Sequence, residues 1–272
     1  MSHGCETFPT PRPTPREKLK WLTTVSHFFY DLSRGISGSN IDGRKLLPQS
    51  PGIQLDRAAK ADTMTKTILI LSPKGGSGKS TMARNLTAAA AADGMRTGAL
   101  DTDVQGTLAE WAKSRTQHAD VVSVDVRYAP LTTASQALDE FDDVDLVILD
   151  TPPAIENNPT DLRTLIDRAD FILIPTQPTL DDVRSVSGVM VSLLELGCPA
   201  AFVINRTRQR VLETEGARRQ LGGIGPVIAS SIPDTVEIQR AMAAGLGVVE
   251  TGGKGSEEVR AVWAELKRCL SL

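Results

Sequence analysis

The chain is poor in cysteine, histidine and aromatic residues: three Cys, three His and 4% aromatics in 272 residues. Cys5, Cys198 and Cys269 stand far apart and form no CxxC pair. That excludes a disulfide framework and the common zinc spacings, and it points to a reduced, cytoplasmic protein. No apolar run approaches the roughly 18–20 residues that a membrane-spanning helix needs. The stretch Trp21–Tyr30 leans apolar, but it carries His27, runs into Asp31 and is followed by no small-residue cleavage site. It does not read as a signal peptide. A net charge of −3 excludes a chain that is basic throughout, so any contact with nucleic acid must come from a local patch or an assembled oligomer. What is present is an ordinary globular composition, 40% hydrophobic and 23% charged, long enough for one large core.

Two unequal parts differ in pattern. Residues 1–63 hold no sustained apolar period and include Pro9-Thr10-Pro11-Arg12-Pro13-Thr14-Pro15, which sustains neither a helix nor a sheet ladder. They carry 9 Lys+Arg and 6 Asp+Glu, net +3, against 21 and 27, net −6, for residues 64–272. We read 1–63 as a disordered or weakly structured extension with a short helix near Glu17–Leu32. Met64 stands just before the first strand, where an initiator would, and the alternative is a DNA- or partner-binding arm. From residue 64 onward, apolar strands alternate with helices. Strands are expected at Thr67–Ser72, Thr97–Leu100, Asp145–Asp150, Phe171–Pro175, Ala201–Asn205 and Val227–Ser230. Helices are expected at Ser80–Asp93, Gly106–Gln117, Pro159–Arg168, Asp181–Leu196, Arg208–Leu221, Thr235–Ala244 and Ser256–Leu270. Near-continuous apolar strands separated by helices predict an α/β fold: a mostly parallel, twisted sheet with helices on both faces. Ligands of such sheets bind at the carboxyl ends of the strands.

The chemistry-bearing residues fall there. Pro73-Lys74-Gly75-Gly76-Ser77-Gly78-Lys79-Ser80-Thr81 follows the first strand and opens a helix. The plain P-loop pattern fails at Pro73, where it requires Gly. The physics of a P-loop NTPase holds nonetheless. Gly75, Gly76 and Gly78 let the backbone fold into a nest of N–H groups for phosphate, and the helix dipole adds to it. Lys79 supplies charge to the terminal phosphates of a nucleotide, and Ser80 a hydroxyl ligand for Mg²⁺. Asp101-Thr102-Asp103-Val104-Gln105 follows the second strand, and Asp150 ends Leu146-Val147-Ile148-Leu149-Asp150. Carboxylates at strand ends can hold the water of a Mg²⁺ ion and orient an attacking water.

The Lys74-Gly75-Gly76-Ser77-Gly78-Lys79-Ser80 form resembles the deviant Walker A motif of the ParA/MinD family of ATPases. Asp101–Gln105 is similar to that family's DxDxQ motif, with Val104 where a proline is usual, and Leu146–Asp150 to its Walker B motif. The resemblance covers nearly all of residues 66–270. Trp111 after the acidic motif, and the loop Ile174–Asp181, look most like the small plasmid-partition branch typified by ParF. What the resemblance implies is ATP and Mg²⁺ as cofactors and a homodimer formed on ATP. Lys74 would reach the partner's phosphates, and Asp103 would orient the attacking water. Ser80, Asp101 and Asp150 would serve the metal. Asn205 would bond the adenine, with Arg206 and Pro233 packing the ring.

The implied function is segregation of plasmid or chromosomal DNA, nucleoid-associated, through nonspecific DNA binding and a ParB-like centromere-binding or adaptor protein. Arg206, Arg208, Arg210, Arg218, Arg219 and Arg240 are the candidate DNA contacts. The alternatives within the resemblance are a positioning ATPase for a protein cargo, of the chemoreceptor-cluster or carboxysome type, and a MinD-like membrane switch. For the last, the apolar stripe Val259, Val262, Trp263, Leu266, Cys269 and Leu270 would have to face lipid rather than the core. We expect the core, and no membrane partner. Cys198 and Cys269 do not follow strand-end loops, which excludes the iron–sulfur reductase branch.

Overall fold

The computed structural model describes residues 65–153, 158–208 and 212–272. The expectations for 1–63, and that for Arg210, lie outside the described residues. Six strands form one sheet: β1 (Lys66–Ile70), β2 (Thr97–Asp101), β3 (Asp125–Tyr128), β4 (Leu146–Asp150), β5 (Phe171–Thr176) and β6 (Ala200–Ile204). Their order is β3-β2-β4-β1-β5-β6, with every pairing parallel. Between and after them run α1 (Lys79–Ala92), α2 (Thr107–Arg115), α3 (Ala134–Asp139), α4 (Pro159–Arg168), α5 (Leu180–Glu195), α6 (Leu212–Gly222), α7 (Val236–Ala243), α8 (Val248–Thr251) and α9 (Ser256–Leu270).

Strand periodicity divides the core into two layers. Ile68 and Ile70 of β1 point to one face, with Leu146 and Ile148 of β4, and meet α1, α2, α7, α8 and α9. Leu69 and Leu71 point to the other, with Val147 and Leu149, and meet α3, α4, α5 and α6. Each such side chain, fully buried, stabilises the fold by about 1.5–3 kcal/mol. Ala88–Ala91, a full turn of α1, are all buried, so the helix is packed all round there. It sits behind the central strand that carries the phosphate loop. The α9 stripe expected to face the core does so: Val259, Val262, Trp263, Leu266 and Leu270 are buried, and Cys269 packs against them half-buried.

Two expectations need correction. Val227–Ser230 is not a strand. Val227 only bridges Phe202, and the N–H groups of Ala229 and Ser230 donate to the Glu265 carboxylate of α9 at 2.8 and 3.0 Å. A side chain has taken donors that a ladder would need. The edge strand β3, not anticipated, reads Asp-Val-Arg-Tyr with half-buried and exposed positions. It lacks the apolar run that marks its neighbours, because an edge strand at the end of a layer buries less.

Candidate functional site

The strand ends carry the site, and register aligns it. Asp101 of β2 lies opposite Asp150 of β4. Just beyond them, the Thr102 N–H and hydroxyl both donate to the Asp150 carbonyl, at 3.0 and 2.7 Å, and the Thr151 hydroxyl donates to the Ile70 carbonyl at 2.8 Å. The three strand ends β2, β4 and β1 are thus stitched together directly beneath the phosphate loop.

In that loop Gly78 has φ +97° and caps α1, and Gly76 has φ +79°. A Cβ on Gly78 would stand 1.9 Å from the Asn205 side-chain nitrogen, so only glycine fits there on both counts. The first turn of α1 presents the spare N–H groups of a helix start. Lys79 is buried and turned in along the loop, its Nζ donating to the carbonyls of Ser72 at 3.3 Å and Lys74 at 3.4 Å. Lys74 is half-exposed and turned away from it, paired at 2.6 Å with Asp182 of α5.

The acidic residues differ in what they hold. Asp101 is fully buried, and its oxygens accept N–H bonds from Asp103 at 3.0 Å, Leu108 at 2.9 Å and Ala109 at 3.0 Å. It caps α2 and shapes the loop that bears Asp103; burial pushes its carboxyl up, and the three N–H donors oppose that. Asp103 in turn accepts the Gln105 N–H at 3.0 Å. Asp150 is also fully buried, yet neither carboxylate oxygen has a hydrogen bond of good geometry. Burial pushes its pKa up to about 7, against the pull of the nearby Ser80 hydroxyl and Lys79. An unpaired buried carboxylate beside Ser80 and Lys79 is a place that a divalent cation would satisfy. Among the described residues no group of three His, Cys, Asp or Glu could hold a metal alone. A Mg²⁺ ion here therefore requires Ser80 and the oxygens of a phosphate as well, and the residues present fit ATP with Mg²⁺.

Lys79, Ser80, Asp101, Asp103 and Asp150 share one electrostatic neighbourhood. Ser77 is buried under the loop and Thr81 half-buried in the first turn of α1. Three participants were not foreseen. Arg84, on α1, is drawn toward Asp150 and Asp101, with its Nε buried and without a hydrogen bond. Asp182 holds Lys74, and Gln177 donates from its side chain to the Gly76 carbonyl at 2.9 Å. A motif search reads chain neighbours, and the Lys74–Asp182 and Gln177–Gly76 contacts join segments about a hundred residues apart. Asn205, Arg206 and Pro233, expected at the adenine, stand at one end of the site. The Asn205 amide is buried and donates to the Ser77 carbonyl at 3.0 Å, so it braces the loop from β6. Arg206 is exposed at φ +53°. The next residue, Thr207, and Pro233 bridge each other and line an open cleft of about 1020 Å³, with Asp234, Thr235 and Lys254 on its other walls.

A nest at a helix start, an inward lysine and strand-end aspartates on a parallel sheet define a P-loop nucleotide-binding domain. The chain belongs to the CobQ/CobB/MinD/ParA nucleotide binding domain family, whose pattern matches residues 68–248, and it is a ParA/MinD-type ATPase. It is 30% identical over 197 residues to maintenance of carboxysome distribution protein A of Halothiobacillus neapolitanus, covering 70% of this chain and 89% of that one. Among solved structures, the cell division ATPase MinD of Pyrococcus furiosus superposes with a TM-score of 0.61 at 20% identity, over 75% of this chain and 99% of that one. Apo McdA of Cyanthece does so at 0.59 and 19%, over 76% and 100%. Likeness to a ParF branch in particular has no such support.

Proposed function

We propose that this protein is a Mg²⁺-dependent ATPase that closes into an ATP-sandwich homodimer and uses that switch to position a cargo over DNA. The observation that carries the reading is the division of labour between two lysines of one loop. Lys79 is turned in toward the nest and serves the subunit's own phosphates. Lys74 is turned out, half-exposed, and is available to a second subunit's nucleotide, where it would offset charge as an arginine finger does. Mg²⁺, when bound, screens the phosphate charge. Ser80 and Asp150 would hold its shell, Asp101 fixes the loop, and Asp103 would orient the attacking water as general base. Thr207 and Pro233 would flank the base in the adjoining cleft.

Likeness to carboxysome distribution proteins over most of their length favours a protein cargo, recruited through an adaptor, over a plasmid or chromosome with a centromere-binding partner. The membrane reading loses its one supporting feature, since the α9 stripe is in the core; no described helix is long and apolar enough to cross a membrane. Slow hydrolysis, stimulated by the adaptor, completes the switch. The test is Lys74→Ala followed by light scattering with ATP. ATP binding within about threefold of wild type, with ATP-driven dimerisation lost, is expected. A variant that dimerises normally removes the trans role of Lys74.

A further inference from the structure

Arg84 stands four residues after Ser80 on α1, so the two side chains share one row of the helix, about 5–6 Å apart at their Cβ atoms. Ser80 opens that row at the phosphate loop, and Arg84 lies one turn deeper, half-buried. Its Nε is shut off from solvent and makes no hydrogen bond. A buried guanidinium is costly unless opposite charge stands near it. That charge is present. Asp101 and Asp150, opposite each other on adjacent strands and both fully buried, attract it from the ends of β2 and β4.

The two carboxylates are unequally engaged. Asp101 is occupied by the N–H groups of Asp103, Leu108 and Ala109. Asp150 has no hydrogen bond of good geometry, and so it is the one open to a cation. Lys79 points its Nζ at the carbonyls of Ser72 and Lys74. Arg84 offers only N–H donors and keeps its proton. It cannot bind a metal itself, and it acts on Asp150 as a fixed positive charge one turn below the loop.

We infer that Arg84 is a positioning residue whose fixed charge keeps divalent cations out of the nucleotide-free pocket, so that Mg²⁺ enters only together with the phosphates of a nucleotide. The inference rests on the placing of Mg²⁺ at Ser80 and Asp150 given above, and not on the trans role of Lys74. The physical argument is charge balance in a pocket of low dielectric. Without nucleotide, Lys79 and Arg84 already oppose Asp101 and Asp150, and a dication that arrives there meets two fixed positive charges. Phosphate oxygens reverse that balance and supply the ligands that the protein lacks. A dication feels each buried charge twice as strongly as a single charge does, so removal of one should strengthen divalent binding by about tenfold or more.

The experiment is a Mn²⁺ titration of the full chain without nucleotide, followed by the electron paramagnetic resonance signal of the free ion. Arg84→Gln and Arg84→Met should each bind a single Mn²⁺ about tenfold or more tighter than wild type. Arg84→Lys keeps the charge and should stay within about twofold of wild type, an outcome that a packing role for the guanidinium would not give. Arg84→Gln/Asp150→Asn should lose the ion again. Circular dichroism establishes that each variant is folded. Wild type alone also tests the inference: if it binds Mn²⁺ as tightly without nucleotide as with a non-hydrolysable ATP analogue, and Asp150→Asn abolishes that binding, Arg84 excludes nothing. Unchanged Mn²⁺ binding in folded Arg84→Gln and Arg84→Met, an equal gain in Arg84→Lys, or a gained ion that survives Asp150→Asn likewise overturns it. The metal site is checked separately. Asp150→Asn should remove most of the affinity that Mg²⁺ adds to binding of the analogue; an unchanged Mg²⁺ effect removes the placing of the metal and the inference together.

Discussion

Asp150 stands in surroundings far from those of a lone side chain. Its ordinary pKa is 3.8, and burial, with the charges of Asp101 and Asp103 beside it, pushes it up to about 7 against the pull of the Ser80 hydroxyl and Lys79. The native protein therefore keeps this proton between pH 4 and 7, where the unfolded chain has released it. Because the native state binds more protons across that window, this residue makes stability fall as the pH rises through it. Below about pH 4 both states are protonated and no further change occurs. The loss, once complete above pH 7, is of the order of a few kcal/mol. Asp150→Asn has no such proton. Without nucleotide, the melting temperature of wild type should fall relative to Asp150→Asn by roughly 5–10 °C between pH 5 and 8. Parallel melting curves for the two proteins would show that Asp150 titrates as an exposed aspartate. With Mg²⁺ and ATP added, the gap should close, since a cation then satisfies the charge.

At the scale of elements, α2 is held at both ends. Asp101 caps its start, and Arg115 at its end forms a paired bond with Glu250 of α8, at 2.8 and 2.5 Å, both side chains nearly buried. Arg115 also donates to the Val122 carbonyl at 2.8 Å and stacks over Trp111, whose own Nε1 donates to the Leu246 carbonyl at 3.1 Å. Gly245, at φ +79°, lets the α7–α8 turn approach so closely that a Cβ would meet the Arg115 nitrogen at 2.4 Å. The helix that follows the acidic loop Asp101–Gln105 thus rests on the C-terminal layer. Arg115→Met strands Glu250 in the interior, and a loss of about 3–5 kcal/mol is expected, seen as a drop in melting temperature of about 10 °C. Arg115→Met/Glu250→Gln should recover a good part of it. If the double variant melts lower than the single, the charge pair is not what joins these elements.

At the scale of the whole molecule, charge sets the conditions for DNA. Residues 64–272 carry net −6, so one subunit meets the phosphate polyanion with net repulsion. Arg206, Arg208, Arg219 and Arg240 are exposed, whereas Arg218 is half-buried and donates to the Ile228 carbonyl. The proposed dimer would present twice as many such arginines. Binding in a mobility assay is expected with ATP and not with ADP, independent of base sequence and steeply weakened by salt. Arg240→Glu, on the exposed side of α7, should weaken it at least tenfold. It should also flatten the log–log salt slope by about two, one contact per subunit at about 0.9 each. Equal binding in ADP and ATP removes the dimer-gated mechanism.

What the sequence by itself determined is the part written in local pattern. The apolar runs 146–149 and 171–174 could only be buried parallel strands. The glycines around Lys79 could only form a nest at a helix start, and the spacing of Val259, Val262, Trp263 and Leu266 marked the inner face of α9. Such features depend on neighbours within one or two turns, and their physics is complete in a short window. Tertiary structure alone decided which groups from distant segments share a bond. It gave Lys74 to Asp182 and Asn205 to Ser77, took the N–H groups of Ala229 and Ser230 for Glu265, and buried Asp150 beside Ser80 and Lys79. Those outcomes follow from the order β3-β2-β4-β1-β5-β6, which lays the ends of β4 and β5 on either side of β1. Side chains that meet there are strangers in the sequence, and only the closing of the sheet sets the distances on which hydrogen bonds and charges depend.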